Sequence, residues 1–444
     1  MKKPKIPLKY KDLSIKYGER FKDIISTVTS PMLNSHYVHW EELAHKYDDP
    51  ELLTVEEYWY GLKIRRILIN KKIPLLDKSG VEFSFILTDD IHKNLHKIDL
   101  DTAGNIESLF PTILNHDSKE RYLISSLIEE AITSSQIEGA ITTKKVAKEM
   151  LRSGRKPRDL SERMILNNYI TMRKIVELKD EKLTPSLVKE IHKIITTDTL
   201  DDNDASGRLR RASEQIEVGD EISGETFHVP PDSSELESRL RTMCKFANEE
   251  GGPTFIHPVI RAIILHFWLA YEHPFVDGNG RTARALFYWS MLRNKYWLFE
   301  YISISQAIKD SKTKYYRSFL HTETDENDLT YFIIYHIDSI NKSINSLGKY
   351  LEKKTKEVKQ LEYEMKSLSM FNYRQKALLV HALKHPSHSY SFASHAASHN
   401  TARQTARTDI IELQTLGLLV SQNSEKRKTF TPANNLEEKI KKIS

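Results

Sequence analysis

The sequence contains very little cysteine: Cys244 is the single one among 444 residues. One cysteine excludes an internal disulfide framework, and we expect it to be a small buried residue in a reducing compartment. No apolar run is long enough to cross a bilayer, and the basic start Met1-Lys2-Lys3 has no apolar segment behind it. We therefore expect a cytoplasmic protein without a membrane segment.

Glycine and proline are also scarce, with 15 of each, which argues against a loop-rich sheet protein. Hydrophobic residues make up 39% of the chain and charged residues 29%, ordinary values for a helix-rich globular protein. A length of 444 residues predicts about two to four domains with ample core. The phosphate loop Gly-x4-Gly-Lys-Ser/Thr is missing from the sequence, so a nucleotide site must be built in another way.

The net charge of +5 is unevenly distributed along the chain. Residues 371–444 contain eleven Lys or Arg and five Asp or Glu, a net charge of +6, so the preceding 370 residues sum to −1. A basic C-terminal part on a neutral body indicates an acidic partner for that part.

The most informative stretch joins two apolar helical patterns, Val259–Tyr271 and Ala285–Leu292. It reads His-Pro-Phe-Val-Asp-Gly-Asn-Gly-Arg-Thr-Ala-Arg, and we call these residues, 273–284, the motif segment. Gly278 and Gly280 allow a ligand to approach the backbone closely. The next helix begins here, so its free N–H groups and the positive end of its dipole favour an anion.

Four side chains of the motif segment add chemistry to this anion site. Arg281 and Arg284 are three residues apart, so they lie on one helix face and clamp the same polyanion. Asp277 offers the hard oxygen ligand that Mg²⁺ shares with phosphates. His273 titrates near neutrality and accepts a proton from a hydroxyl. The motif segment therefore predicts a phosphate and metal site with its own base.

The motif segment resembles the signature of the Fic family, His-x-Phe-x-Asp/Glu-Gly-Asn-Gly-Arg-x-x-Arg, and matches every defined position. Fic proteins mostly transfer AMP from ATP to a side-chain hydroxyl of a protein and release pyrophosphate. The resemblance implies ATP as the substrate, His273 as the general base and Asp277 as the Mg²⁺ ligand. The residues that it implies for binding the nucleotide here are Asp277, Gly278, Asn279, Gly280, Arg281, Thr282, Ala283 and Arg284.

A second stretch that resembles a Fic motif ends an amphipathic helical pattern over residues 118–139. Ser134, Glu138 and Gly139 match the family's inhibitory motif, Ser/Thr-x-x-x-Glu-Gly/Asn. Gly139 is an ordinary helix C-cap, but the carboxylate of Glu138 lies at the negative end of the helix, where it needs a compensating partner. The resemblance names Arg284 as that partner. A solvated glutamate at a frayed helix end is the alternative.

Two short alternating runs around a glycine-bearing turn predict a β-hairpin over residues 216–230. Its position resembles the Fic flap, a strand that aligns the substrate segment by edge pairing and covers the nucleotide. The resemblance places Thr226, Phe227 and His228 beside the nucleotide. The alternative is an edge hairpin with a structural role alone.

Tyr315 and Tyr316 resemble the tyrosine pair that lines the base pocket of Fic proteins. Aromatic rings stack well on a base, although a tyrosine pair on a helix is as often part of a core. Asp325, near the start of the next helix, is a further candidate contact for the sugar or the base.

Residues 371–444 have a compact pattern of their own, three helices followed by a hairpin with a basic turn. This order resembles a winged helix-turn-helix, whose third helix and wing contact DNA. The candidate DNA contacts are Arg403, Gln404, Arg407, Lys426, Arg427 and Lys428. We predict DNA as the partner of this part, and protein docking is the alternative.

The predicted fold class is mostly α, a Fic-type helical core with a small β-hairpin flap plus a C-terminal winged-helix domain. The predicted parts are a helical N-terminal region (1–105), a Fic domain (106–345), a connecting helix (346–370) and a winged-helix domain (371–444). The heptad-like pattern of the connecting helix is too short for a long coiled coil and fits packing on its own core or on a second copy of the chain.

The predicted function is adenylylation of a Tyr, Ser or Thr hydroxyl of a protein, the chain itself included, restrained by Glu138. One alternative is phosphoryl transfer as in the Doc branch of the family, which Gly278 disfavours because that branch typically has lysine there. The other is a DNA-binding regulator with a spent Fic core, which the intact His273, Asp277 and Arg281 disfavour.

Overall fold

The structure is a computed structural model that describes residues 2–30, 32, 36–47, 52–102, 116–220, 224–249, 255–367, 370–386, 388–424 and 427–443. These residues are mostly helical, with three small antiparallel strand pairs, which confirms the predicted mainly α fold class. None of the described helices combines the length and the apolar character needed to cross a membrane.

The chain divides into two compact units, residues 1–103 with 127–343 and residues 104–126 with 344–444. The domain boundaries given above stay predictions.

The N-terminal part of the first unit contains five helices and one hairpin. Its elements are α1 (Tyr10–Tyr17), α2 (Phe21–Thr27), α3 (Trp40–Lys46), α4 (Val55–Ile69), β1 (Lys71–Leu76), β2 (Glu82–Phe85) and α5 (Asp89–Thr102). The start of α4 follows from its sequence, because Thr54 and Glu57 form a capping box.

The hairpin β1–β2 was not predicted in the helical N-terminal region. Ile73 and Leu75 are buried while their neighbours are exposed, which is the period of a strand. Pro74, which weakens a strand assignment because it cannot donate to a ladder, lies where the register between β1 and β2 is irregular.

The next part of the chain is a helical core with a second hairpin, and its first helix begins in the second unit and continues into the first at residue 127. Its elements are α6 (His116–Ile137), α7 (Lys144–Ser153), α8 (Leu160–Leu178), α9 (Pro185–Thr196), β3 (Val218–Asp220), β4 (Glu225–His228), α10 (Leu236–Ala247), α11 (Pro258–Glu272), α12 (Asn279–Arg293), α13 (Ile304–Asp310) and α14 (Lys312–Thr324). A single helix, α15 (Thr330–Ser367), follows them.

Two consecutive helices, α11 and α12, form the centre of this core. Residues 259–269 of α11 and 281–292 of α12 are all buried, as expected for helices that are apolar around most of their circumference. The motif segment connects these two buried helices, so a rigid scaffold fixes its position.

The C-terminal elements of the second unit are α16 (Tyr373–Lys384), α17 (Phe392–Ser398), α18 (Arg403–Thr415), β5 (Leu419–Ser424), β6 (Arg427–Pro432) and α19 (Leu436–Ile443). The order of three helices and a hairpin agrees with the predicted pattern, whereas α19 was not predicted. The buried carboxylate of Asp409 on α18 accepts from Arg374 Nε on α16 at 2.7 Å and contacts His395 Nε2 on α17 at 3.2 Å. This ion cluster joins the three helices.

Candidate active site

The motif segment makes a tight turn between two left-handed residues. His273 ends α11 with φ 43° and ψ 55°, and Gly278 precedes α12 with φ 80°. A Cβ atom at Gly278 would lie 2.7 Å from Cγ2 of Thr196. Glycine is therefore required at 278 by both its backbone conformation and the close approach of α9.

Asn279 is among the residues that the resemblance implies for nucleotide binding, and its side chain closes the turn. Its Oδ1 accepts from the Phe275 amide at 3.0 Å, and its Nδ2 donates to the Phe275 carbonyl at 2.8 Å. The Thr282 hydroxyl also donates within the turn, to the Gly278 carbonyl at 2.8 Å, and Ala283 is fully buried. The polar side chains of Asn279 and Thr282 are therefore occupied within the turn, and the Thr282 amide also donates to the Gly278 carbonyl, at 2.9 Å.

Two residues that the sequence analysis did not identify hold the turn in place. His192 Nε2 donates to the Asp277 carbonyl at 2.8 Å and its Nδ1 accepts from the Gly207 amide at 3.0 Å, while burial lowers its pKa to about 4. Arg210 donates from its amide to the Pro274 carbonyl at 2.9 Å and from Nε to the His273 carbonyl at 3.0 Å. Neither residue is at a spacing from the motif that indicates this contact.

His273 has the geometry and protonation state of a base. Its Nδ1 lies 3.3 Å from the Ala270 carbonyl, and because a carbonyl only accepts, this nitrogen carries the hydrogen and Nε2 has the lone pair. The ring lines a cavity beside the motif segment. Burial lowers the pKa of His273 to about 4, so the imidazole is neutral near pH 7.

Asp277 combines an exposed carboxylate with a buried arginine partner. Its side chain is 57% exposed, and Oδ2 accepts from Arg281 Nη2 at 3.1 Å, while the Arg281 side chain is fully buried. Burial lowers the pKa of the Arg281 guanidinium. One accessible carboxylate next to an anion site fits Mg²⁺, which takes one or two protein carboxylates and completes its shell with water and phosphate oxygens.

Arg284 joins the motif segment to the end of α6, 146 residues away. Its Nε donates to Ser134 Oγ at 2.8 Å, and its Nη2 donates to the Ser134 carbonyl at 3.0 Å and to Glu138 Oε1 at 2.8 Å. Burial acts to raise the pKa of the Glu138 carboxyl, but the charge and hydrogen bond of Arg284, together with the charges of Arg281 and Lys312, lower it. The predicted partners therefore meet, and Gly139 ends α6 with φ 96°.

The Glu138 carboxylate lies against the first turn of α12. A Cβ atom at Gly280 would come within 2.2 Å of Glu138 Oε1, so the carboxylate occupies space that only glycine leaves open. The negative end of α6 is unfavourable for this charge, but the positive end of α12 and the Arg284 guanidinium compensate. The carboxylate thus marks the anion site predicted from the sequence.

Two guanidinium groups at this site each have a hydrogen-bond donor without an acceptor among the described residues. Within the residues that the structure describes, Arg281 Nε and Arg284 Nη1 are buried and have no hydrogen-bond partner. A buried charged donor without an acceptor is costly, so a bound anion with several oxygens would satisfy both arginines.

The cavity of about 180 Å³ next to the motif segment brings together seven of the predicted residues: Glu138, Phe227, His228, His273, Gly280, Tyr315 and Tyr316. Thr226, which precedes Phe227 in β4, donates its hydroxyl to Glu217 Oε2 at 2.5 Å. Tyr315 is only 4% exposed and its hydroxyl lies 2.9 Å from His266 Nε2, so it also belongs to the core. Glu323 lines the cavity as well, and the sequence analysis did not identify it.

Asp325 is not at this cavity, which corrects its proposed contact with the sugar or base. It is fully buried, its Oδ1 accepts from Lys63 Nζ at 2.7 Å, and its Oδ2 accepts from the Tyr331 hydroxyl at 2.7 Å. The charge of Asp325 is therefore committed to an ion cluster with α4.

The candidate DNA contacts lie partly on an exposed helix face. Arg403, Gln404 and Arg407 are exposed on α18, and Lys428 is exposed at the start of β6. On the opposite side of α18, Ala406, Ile410 and Leu413 are fully buried, as predicted. Lys426 and the side chain of Arg427 lie outside the part that the structure describes.

Comparison with known proteins identifies the central part of the chain. The Fic/DOC family matches residues 182–291. The protein adenylyltransferase Fic of Drosophila sechellia is 33% identical over 118 residues, 27% of this chain and 22% of that protein. The protein of the same name from Nematostella vectensis is 32% identical over 111 residues, 24% of this chain and 22% of that protein.

The fold has a counterpart among solved structures. A Fic family protein from Desulfovibrio desulfuricans G20 covers 78% of this chain and 95% of its own, with a TM-score of 0.51 and 15% identity. The chain spans about a fifth of the length of the named relatives. Residues 182–291, which include the motif segment, thus match the Fic/DOC family, and the solved structure shares the fold.

Proposed function

We propose that the protein is an adenylyltransferase that moves AMP from ATP to a Tyr, Ser or Thr hydroxyl of a protein. The observation that carries this proposal is the pair of buried, unsatisfied guanidinium donors beside the first turn of α12. The donors of Arg281 and Arg284, the helix N-terminus and Gly280 together suit a triphosphate better than a single anion. Two relatives that bear the name protein adenylyltransferase support this activity.

His273 would act as the base on the hydroxyl of the target protein. The His273 ring lines the cavity, and its Nε2 would take the hydroxyl proton. The hydroxyl oxygen then forms a bond to the α-phosphorus of ATP, and the bond to pyrophosphate breaks. Arg281 and Arg284 hold the outer phosphates and stabilise the charge that develops on the leaving group.

Asp277 would hold Mg²⁺, which neutralises phosphate charge when it is bound. The carboxylate is exposed, and Arg281 fixes one of its oxygens at 3.1 Å. Within the motif segment, Asp277 is the only acidic side chain. This assignment predicts that the activity requires a divalent cation and that Asp277→Ala raises the concentration of Mg²⁺ that is needed.

Glu138 would restrain the reaction by occupying the site of an outer phosphate. Its Oε1 holds Arg284 Nη2 at 2.8 Å and fills the space next to Gly280. The side chain is nevertheless 28% exposed, so a nucleotide or a partner could displace it. While Glu138 holds Arg284, ATP binds without this guanidinium group and does not reach the productive pose.

Separate incubations of the purified protein with α-labelled and γ-labelled ATP test the proposed function. Adenylyl transfer puts label on protein from the α-labelled ATP only, and the chain itself is one expected acceptor. Transfer from the γ-labelled ATP would instead support the Doc-like phosphotransferase. Absence of label from both, in Glu138→Gly as well, would favour the spent Fic core.

We also propose that the second unit binds DNA in the manner of a winged helix, which would make the enzyme a regulator of its own expression. The supporting observation is the exposed Arg403, Gln404 and Arg407 on one face of α18, opposite its buried apolar residues. A protein partner for this face is the competing possibility that a binding experiment distinguishes. A cytoplasmic location and a homodimer remain part of this proposal.

A further inference from the structure

The hairpin β3–β4 is fastened by the last residue of β4. His228 Nε2 lies 2.7 Å from the backbone oxygen of Tyr271 in α11, and His228 Nδ1 lies 2.7 Å from Glu323 Oε2 in α14. The His228 side chain is only 9% exposed. One imidazole therefore connects the hairpin with two separate helices.

Both neighbours of the His228 ring are hydrogen-bond acceptors. A backbone carbonyl only accepts, so Nε2 donates to Tyr271. At 2.7 Å, the contact of Nδ1 with the Glu323 carboxylate is a hydrogen bond to a charged side chain, which is a charge-assisted bond. Such bonds are stronger than neutral ones, which makes this contact more than ordinary packing.

The residues that make this contact form part of the wall of the candidate active site. His228 and Glu323 both line the cavity, together with His273 and Tyr316. Tyr271 lies two residues before His273 in the chain, and Glu323 belongs to the helix that carries Tyr316. His228 thus ties three walls of the cavity to one another: the hairpin, the end of α11 and α14.

We propose that His228 is a positioning residue that latches the hairpin onto α11 and α14 and thereby sets the affinity of the cavity for nucleotide. The identity of the ligand rests on the proposed function, whereas the latch itself rests on the two contacts of His228. In this proposal His228 does not touch the reacting atoms. Its loss should therefore raise the KM for ATP and leave kcat within about twofold.

Hydrogen exchange tests the latch without any nucleotide. In His228→Ala, the amides of residues 225–228 should exchange about tenfold faster, because the two hydrogen bonds of His228 no longer hold the strand. His257→Ala is a matched control, since His257 Nε2 also contacts a carboxylate, Asp99 Oδ2, at 3.0 Å but does not line the cavity. Unchanged exchange in His228→Ala, or an equal acceleration in His257→Ala, would overturn the latch.

Nucleotide binding tests the second half of the proposal. In a Glu138→Gly background, His228→Ala should weaken binding of α,β-methylene-ATP about tenfold. His228→Gln, whose amide nitrogen replaces Nε2, should recover part of that loss. Faster exchange with unchanged affinity overturns the effect on nucleotide. Failure of the parent protein to bind the analogue overturns the proposed function and the nucleotide half together, and the exchange experiment still decides the latch.

The partnership with Glu323 is tested by a double-mutant cycle. If the two side chains act through each other, the affinity loss in His228→Ala with Glu323→Ala should be close to the larger single loss. Losses that multiply would show that Glu323 is not the partner. Glu323→Gln serves as the folded reference, because it keeps the shape of the side chain and removes the charge.

Discussion

The site around the motif segment and the exposed face of α18 both depend on arginines, but they use them differently. Arg281 and Arg284 are each 1% exposed, and each keeps a buried donor without a partner among the described residues. Arg403 and Arg407 are exposed to solvent. Burying a guanidinium is costly unless it is paired, whereas exposing one costs little. The buried pair is therefore the stronger argument for a ligand.

The two sites also differ in how much their structure indicates about a ligand. At the motif segment, the Glu138 carboxylate is itself an anion. It lies against Gly280 and accepts a hydrogen bond from Arg284. On α18, the side chains define a face and a charge, without a stand-in for the ligand. The predictions below test whether this contrast reflects function.

The largest expected effect is on His273. His273→Ala should lower the labelling of protein from α-labelled ATP by about 10²- to 10⁴-fold, because a neutral hydroxyl then lacks its base. Binding of ATP and the unfolding temperature should stay close to those of the parent. His257→Ala is the control, and comparable labelling by the alanine variant at 273 and the parent would disprove the role of the base.

The next effect concerns the pair that occupies the anion site. Charged hydrogen bonds contribute about 1.5–3 kcal/mol, so releasing Arg284 from Glu138 should raise the labelling rate roughly 10- to 100-fold in Glu138→Gly. The gain should vanish when Arg284→Ala is added. The measurement is the set of four labelling rates at saturating ATP. A gain that survives without Arg284 would show that Glu138 acts in another way.

The two sites also show which features of the structure could be predicted from the sequence. The motif segment is local, so its spacing was sufficient to predict that His273, Asp277, Arg281 and Arg284 share one site. The meeting of Glu138 with Arg284 came from the family resemblance, because no local pattern connects residues 146 apart. Side chains that were placed by tertiary packing alone were missed.

Three cases illustrate the missing information. His192 and Arg210 hold the turn through hydrogen bonds to backbone carbonyls, and such contacts leave no periodic pattern in the sequence. Glu323 on α14 lines the cavity and contacts His228, which is distant in the sequence. Asp325 was placed at the wrong site, because its partner Lys63 is 262 residues away.

A smaller effect is expected on the α18 face, and it decides whether exposed arginines there are functional. Arg403→Ala with Arg407→Ala should weaken binding to an upstream DNA fragment and lower the slope of log affinity against log salt by about 2, one phosphate contact each. The matched control is Lys145→Ala with Lys156→Ala, an exposed basic pair in the first unit. Binding that is absent, or insensitive to salt, across genomic fragments would favour a protein partner.

The smallest effect is a flat pH profile, and it follows from the burial of His273. The base form of an imidazole is the neutral one, which is present above its pKa and is lost as the pH falls through that value. An ordinary histidine with a pKa of about 6.5 would be roughly one-tenth neutral at pH 5.5, whereas burial lowers the pKa of His273 to about 4 and keeps it almost entirely neutral there. The labelling rate of Glu138→Gly at saturating ATP and Mg²⁺ should thus fall less than about twofold between pH 7 and pH 5.5. Use of Glu138→Gly removes the titration of the inhibitory carboxylate from the comparison. A roughly tenfold fall with a midpoint near pH 6.5 would mean that the base is solvated in the working enzyme, and the burial that distinguishes this site from the α18 face would then have no part in its chemistry.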